Sequence, residues 1–278
     1  MYELKKLPNG FEYLEIKNDK ASAKIALQGA HIFEYKRDGE ADILWLSEIS
    51  DFEFGKAIRG GVPLCWPRFG NSDKNLPQHG FARTALFELV SVEELNSNTT
   101  KVHLQLKDTE KSRKIWDYKF QLNFTITISD TLVMELKTIN KDTKSFEITQ
   151  ALHTYFTVSN IGEVKIDGLD KKPYLDALNM KTKIQDGKVN FDGEVDRVYQ
   201  EVDSTITLED KNHKININNQ GSKSVIVWNP WTYKCSKMSA MKDDAYKKFV
   251  CIESANAFED FVSILPNNSH TLKTIIST

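Results

Sequence analysis

The chain has 278 residues, with 37 basic and 39 acidic side chains and a formal net charge of −2 at neutral pH. Hydrophobic residues make up 40% and charged residues 27%, a balance that permits a buried core and differs from that of disordered chains. The near-neutral charge argues against a nucleic-acid binder with a broadly basic surface, and no run of about 18 apolar residues predicts a membrane span.

The amino terminus and the cysteines indicate the compartment. The first six residues, MYELKK, lack the apolar segment of a secretory signal. Cys65, Cys235 and Cys251 are far apart and form no C-x-x-C pair, which favours neither a disulfide framework nor a zinc knuckle. We expect a cytoplasmic, cofactor-free monomer with no metal, no nucleic-acid partner and no membrane contact.

Alternation of apolar and polar residues predicts β-strands along most of the chain, in the order 25–35, 43–46, 102–106, 120–128, 132–136, 146–148, 164–166, 206–208, 215–217 and 225–228. Short polar turns join the central segments, as expected for half-buried antiparallel strands. Long helical stripes, linkers and internal repeats are absent. The pattern predicts an all-β fold, a large antiparallel β-sandwich that forms a single domain over residues 1–278.

Two segments interrupt the alternation. Residues 58–83 hold three of the seven prolines and four of the thirteen glycines, and residues 229–250 are rich in Lys, Met and Asp and are predicted to form a loop. Long irregular segments in a compact domain are often functional.

The motifs of several enzyme classes are missing. The chain contains no G-x-G-x-x-G, P-loop, G-x-S-x-G or H-E-x-x-H sequence, and its six histidines are scattered without close metal-ligand spacing. These absences weigh against nucleotide-dependent transfer, redox chemistry, α/β-hydrolase chemistry and zinc hydrolysis.

Two residues at strand ends have side chains suited to proton transfer. His153, in QALHTYF, is either a hydrogen-bonded histidine of a sheet face or a proton donor and acceptor, since its ordinary pKa of about 6.5 lies near neutrality. Glu253, in FVCIES, is either a strand-end carboxylate facing water or a general base held at the sheet.

The glycine- and proline-rich segment offers candidate ligand contacts. Arg59 and Arg83 are either surface arginines in ordinary ion pairs or an anion clamp, because guanidinium groups bind phosphate oxygens bidentately. His79, between Pro77 and Gly80, either binds a hydroxylated ligand or holds the loop. Asp176 is by default a loop acid. Three tryptophans are compatible with either the core or a sugar-stacking platform: Trp66, Trp228 and Trp231.

Taken in order, several motifs resemble the aldose 1-epimerase (mutarotase) superfamily, and more closely its hexose-6-phosphate mutarotase branch. The motifs are QGAH at 28–31, RGGVP at 59–63, WPRFG at 66–70, LPQHGFAR at 76–83, ALHTYF at 151–156, GL at 168–169, YLD at 174–176, VWNPW at 227–231 and FVCIE at 249–253. The resemblance covers nearly the whole chain and implies a β-sandwich of the galactose-mutarotase type with a sugar site on its concave face.

The resemblance also implies roles for individual residues. His153 matches the general acid at the ring oxygen, and Glu253 matches the general base at the anomeric hydroxyl. His79 and Asp176 match sugar-contacting positions, and the two arginines match phosphate-contacting positions. The implied activity is interconversion of the α and β anomers of a hexose 6-phosphate, with His153 protonated and Glu253 ionised at the start and a bell-shaped pH profile.

Three alternatives differ in substrate or chemistry. A mutarotase for unphosphorylated aldoses would not need the arginine pair, and a non-catalytic carbohydrate-binding protein would not need a histidine and a carboxylate at one sugar. A glycosidase usually needs two acids across the scissile bond, whereas the sequence offers one convincing acid.

Overall fold

The structure is a computed structural model that describes residues 1–71, 76–211 and 213–278. Residues 72–75, which belong to the glycine- and proline-rich segment, lie outside the described part. The strands, in chain order, are β1 (Tyr2–Lys6), β2 (Glu12–Lys17), β3 (Ala21–Ala26), β4 (His31–Arg37), β5 (Leu64–Cys65), β6 (Glu88–Asn96), β7 (Thr99–Lys107), β8 (Phe120–Ile128), β9 (Leu132–Asn140), β10 (Phe146–Ile148), β11 (Gln150–Leu152), β12 (Tyr155–Thr157), β13 (Lys165–Asp167), β14 (Pro173–Asp176), β15 (Lys181–Ile184), β16 (Val195–Tyr199), β17 (Ile206–Asp210), β18 (His213–Gln220), β19 (Ser224–Asn229), β20 (Phe249–Asn256), β21 (Val262–Ile264) and β22 (Ser269–Ser277).

Helices are short. The α-helices are α1 (Glu110–Arg113) and α2 (Trp231–Cys235), and 3-10 helices cover Ala82–Thr84, Ile161–Glu163, Ala245–Lys248 and Phe258–Asp260. In the described ranges, no helix has the length and apolar character needed to cross a membrane.

Two eight-stranded antiparallel sheets dominate the fold. The site sheet has the order β15-β14-β16-β19-β20-β11-β5, with β12 also paired to β20. The back sheet has the order β13-β17-β18-β22-β9-β8-β7-β6. A four-stranded sheet, β1-β2-β3-β4, and the pair β10-β21 complete the structure. The predicted all-β class and antiparallel sandwich are confirmed.

The main core lies between the two large sheets. Val227 and Ile252 of the site sheet join Phe124 and Leu136 of the back sheet in one buried cluster. The back-sheet strand β8 alternates regularly between buried and partly exposed residues because its other face meets water. By contrast, every residue of β19 and β20 is buried, so the centre of the site sheet is covered on both faces.

Three sequence predictions about local structure need correction. Residues 25–35 are not one strand, because a turn with positive φ at Gly29 and Ala30 separates β3 from β4. Residues 43–46 form only the isolated bridges of Leu44 to Phe156 and Leu46 to Gly60. Residues 229–250 are not simply a loop: they contain α2 and a 3-10 helix, which cover the second face of the site sheet through the buried Cys235 and Met241.

Candidate active site

Strand register brings His153 and Glu253 together, although they are one hundred residues apart in the chain. Leu152 at the end of β11 pairs with Ser254 of β20, and Tyr155 at the start of β12 pairs with Cys251. The two pairings share one register, in which His153 stands opposite Glu253. Residues opposite each other in antiparallel strands present their side chains on the same face. The His153 Nε2 and Glu253 Oε1 atoms are 3.3 Å apart.

Burial governs the protonation of this pair. The exposed fraction of the side chain is 12% for His153 and 2% for Glu253. Desolvation lowers the pKa of His153 well below its ordinary value, and the neighbouring His79 ring and the charges of Arg83 and Arg59 act in the same direction. Desolvation raises the pKa of Glu253 well above its ordinary value, with Asp196 adding to the effect. Burial therefore does not favour the protonated His153 and ionised Glu253 expected from the sequence.

His79 lies against the pair on a constrained backbone. Its ring centroid is 5.8 Å from that of His153, and its φ of 62° is in the left-handed region. Gly80 follows with a φ of 71°, and a Cβ atom there would collide with the carbonyl oxygen of Trp66. Burial, together with the charges of Arg83 and Arg59, lowers the pKa of His79 to about 3, so this ring is neutral at physiological pH.

Arg59 is positioned by two glycines that follow it. A Cβ atom on Gly60 would collide with the carbonyl oxygen of Trp45, and one on Gly61 would collide with that of Ile32, so only glycine allows this close passage of the chain. Burial raises the pKa of the Tyr155 hydroxyl. The neighbouring Arg59 guanidinium lowers that pKa and so offsets part of the rise.

Arg83 reaches the same site from the 3-10 helix Ala82–Thr84. Its Nη2 atom donates a 2.7 Å hydrogen bond to the carbonyl oxygen of Gln78. Within the described ranges, neither Arg83 nor Arg59 has a carboxylate partner within 4 Å. Two guanidinium charges therefore converge on His79 and His153 while leaving donors for a ligand.

Among the residues that the structure describes, three buried polar atoms of the site find no hydrogen-bond partner: Arg59 Nε, His153 Nδ1 and Glu253 Oε2. Buried polar groups in folded proteins are normally satisfied by protein, water or ligand. Their presence at one place indicates a site that accepts polar groups from outside the chain.

Asp176 does not lie with the group of side chains around His153 and Glu253. In the strand register, Asp176 is opposite Arg197, Arg197 is opposite Val227, and Val227 is opposite Ile252. These residues share the face of the site sheet that packs on the main core. The Asp176 carboxylate accepts hydrogen bonds from Lys183 Nζ at 2.7 Å, Asn179 Nδ2 at 2.9 Å and the backbone N–H of Leu178 at 3.1 Å. Its role in sugar binding stays a prediction.

Sequence reasoning did not identify Asp196 as a candidate site residue. It lies on the site face, which is the face of the site sheet that carries Cys251 and Glu253. It pairs with Trp228, which pairs with Cys251, and that residue pairs with Tyr155. Along β20, Glu253 lies two residues from Cys251 and so shares its face. Burial raises the pKa of Asp196. The sequence signal that could have identified Asp196 is its position between Val195 and Val198, two apolar residues that are buried in the same strand.

The tryptophans separate into different environments. Trp66 is fully buried in the main core and donates a 2.9 Å hydrogen bond to Thr138 Oγ1, so it is no sugar platform. Trp228 lies on the site face with its ring 5.9 Å from His153. Trp231 packs beside Tyr246 at 5.2 Å.

No group of three or more His, Cys, Asp or Glu side chains in the described part of the chain has an arrangement that would hold a metal ion. The chemistry available to the cluster is proton transfer between a buried imidazole and a buried carboxyl group, beside two guanidinium charges.

The family model for aldose 1-epimerase matches residues 12–277. The chain belongs to the aldose 1-epimerase family. It is 36% identical over 253 residues to a candidate glucose-6-phosphate 1-epimerase of Escherichia coli strain K12, covering 89% of this chain and 84% of that protein. A similar candidate from Cenchrus ciliaris is 34% identical over 277 residues, covering 95% and 84%.

Solved structures agree with this assignment. A candidate mutarotase from Salmonella typhimurium superimposes with a TM-score of 0.93 at 32% identity, covering 99% of this chain and 92% of that one. A galactose mutarotase related enzyme from Lactobacillus acidophilus has a TM-score of 0.76 at 16% identity, covering 95% and 96%, which shows the shared fold. This aldose 1-epimerase is thus an isomerase with the galactose-mutarotase type of sandwich.

Proposed function

We propose that the chain interconverts the α and β anomers of a hexose 6-phosphate, with glucose 6-phosphate as the expected substrate and His153 and Glu253 as the catalytic residues. The observation that carries the proposal is the buried contact between His153 and Glu253, beside two guanidinium groups that act on His153.

The reaction needs one base and one acid at neighbouring oxygens. One group removes the proton from the C1 hydroxyl while the other protonates the ring oxygen, so the bond from C1 to that oxygen breaks and a carbonyl forms at C1. Rotation about the C1–C2 bond and reclosure give the other anomer. Because both oxygens are bonded to C1, two groups in contact with each other can reach them together.

The His153–Glu253 pair can supply the acid and the base from a single proton. With the proton on His153, the pair opens the ring with Glu253 as base. Afterwards the proton is on Glu253, and reclosure returns it. In water a histidine binds a proton more tightly than a glutamate by about two pKa units. Burial lowers the first pKa and raises the second, so it acts against this preference and favours the proton on Glu253.

Arg59 and Arg83 are proposed to hold the phosphate, since their charges lie beside His79 and His153 and attract a dianion. His79 is proposed as a sugar contact that remains neutral. We add Asp196 as an acceptor for a sugar hydroxyl, because it lies on the same face of the site sheet as Glu253. The sugar contact predicted for Asp176 is retained as a hypothesis, which Asp176→Asn tests.

Exchange between the anomers of glucose 6-phosphate, followed by NMR magnetisation transfer above the uncatalysed rate, tests the catalytic pair. His153→Asn and Glu253→Gln should each reduce catalysed exchange by about 10²-fold or more. His103 and Glu93 form a comparable pair, 3.7 Å apart, on the back sheet, so His103→Asn and Glu93→Gln are matched controls. Near-normal exchange in a folded His153 or Glu253 variant rejects the assignment.

The proposed phosphate clamp, formed by Arg59 and Arg83, is tested by comparing phosphorylated and free glucose as substrates. Arg59→Ala and Arg83→Ala should reduce kcat/KM for glucose 6-phosphate by about tenfold to a hundredfold more than for free glucose. Arg68→Ala is the control, because Arg68 donates instead to the carbonyl oxygen of Glu147 at 2.7 Å. Equal losses on both sugars favour an unphosphorylated aldose as substrate, and saturable binding without exchange favours a binding protein.

A further inference from the structure

Helix α2 is fixed to the site sheet at both of its ends. Asn229, at the end of β19, accepts a 2.9 Å hydrogen bond from the backbone N–H of Trp231 and donates to the carbonyl oxygens of Tyr246 and Phe249, each at 2.9 Å. At the other end, Cys235 is fully buried on the site face. The backbone at Lys234, next to Cys235, is therefore held against the site sheet.

Lys234 contacts two carboxylates. Its Nζ atom is 2.9 Å from Glu194 Oε1 and 3.5 Å from Asp196 Oδ2, and it lies 5.8 Å from the centroid of the Trp228 ring. The side chain is 41% exposed, whereas that of Asp196 is 26% exposed. Lys234 thus pairs with a carboxylate that is less exposed than the lysine itself.

Several charged groups influence the pKa of Asp196: Lys234 on α2, Glu194 just before β16, and Asp176 on the neighbouring strand β14 but on the other side of the sheet. Burial raises the pKa of Asp196, Lys234 opposes that rise, and Glu194 and Asp176 add to it. The negative charge of Asp196 in turn contributes to the raised pKa of Glu253. Lys234 is thus the positive charge from α2 that acts on this acid of the site face.

We propose that Lys234 is a positioning residue, which keeps the Asp196 carboxylate ionised and fixed on the site face so that it can accept a hydrogen bond from a sugar hydroxyl. The role of Asp196 in this statement rests on the proposed function. The ion pair itself is a property of the free protein and is measurable without any substrate.

Carboxyl ¹³C NMR titration of the labelled protein, with the Asp196 signal assigned through Asp196→Asn, tests the ion pair. Lys234→Met keeps the apolar stem and removes the charge, so the pKa of Asp196 should rise. If activity needs ionised Asp196, the acid limb of kcat/KM should move to higher pH, with a loss of about tenfold or more at neutral pH. Lys234→Arg keeps the charge and should preserve both properties.

Lys237→Met is the matched control, because Lys237 follows α2 and lies over the Tyr233 ring at 5.8 Å. An unmoved Asp196 titration in Lys234→Met, or an equal shift in Lys237→Met, overturns the proposal. If Lys234→Met does not fold, Lys234→Gln gives the same readout. If the wild-type protein exchanges no sugar anomers, the proposed function fails while the titration still decides the ion pair.

Discussion

At the scale of single residues, the catalytic role proposed for Glu253 conflicts with the stability of the fold. Its folded-state pKa is raised by burial, so the folded chain holds this proton to higher pH than the unfolded chain does. Stability is then lost as the pH rises above the ordinary carboxyl value, because the unfolded state gains by ionising. A carboxyl group with a proposed catalytic role in a strand buried on both faces is expected to show this conflict.

Glu253→Gln removes the ionisation and nearly preserves the shape of the side chain. We expect the variant to be more stable than the wild type at pH 8 by about 1 kcal/mol, and to lose most of that advantage near pH 4. Thermal unfolding of both proteins across this range measures the difference. A difference independent of pH would show that the Glu253 carboxyl group titrates alike in the folded and unfolded chains.

Asp176 and Asp196 show how far single residues can be assigned from sequence. Both lie in strands of the site sheet, yet the face that each presents depends on the register of β14 with β16 and of β16 with β19, which no local pattern reveals. For His153 and Glu253 the motifs were sufficient to nominate the residues. Their contact depends on the pairing of β11 and β12 with β20, which only the folded chain supplies.

At the scale of elements, strands that meet water on one face are the ones the sequence predicts best. The alternation in β8 and β9 is regular because one side of each strand is solvated. In β20 both faces are covered, so Cys251, Glu253 and Ser254 carry no periodic signal. The segments that cover the second face, including α2, were harder to predict because short helices held by tertiary contacts have weak patterns.

The turn that carries His79 gives a prediction at this scale. Gly80→Ala combines an unfavourable φ with a collision against the Trp66 carbonyl oxygen, and we expect a loss of about 3 kcal/mol in unfolding free energy. Gly39→Ala has a similar φ of 73°, but beyond its chain neighbours the new Cβ would meet no described heavy atom within 4 Å, so its cost should be about 1 kcal/mol. Urea unfolding compares them, and equal costs would mean that the close approach at Gly80 relaxes freely.

At the scale of the whole molecule, the site sheet is the layer between two hydrophobic clusters. One cluster joins it to the back sheet, and the other lies under α2 and neighbouring loops. The proposed catalytic groups, His153 and Glu253, therefore belong to the centre of the structure and not to a surface loop. We expect them to keep their geometry until the sandwich itself unfolds.

The three buried cysteines test this expectation. Cys65 and Cys251 lie on β5 and β20, and burial raises the pKa of each thiol, so both should react with a thiol reagent only through global unfolding. Cys235 lies on the short α2 and should react through local opening, at least about tenfold faster in native buffer. Mass spectrometry of protein labelled at increasing urea concentrations identifies which cysteine has reacted. The labelling rates of Cys65 and Cys251 should rise with the urea dependence of global unfolding. Labelling of Cys251 as fast as that of Cys235, without urea dependence, would instead show that the site sheet opens locally.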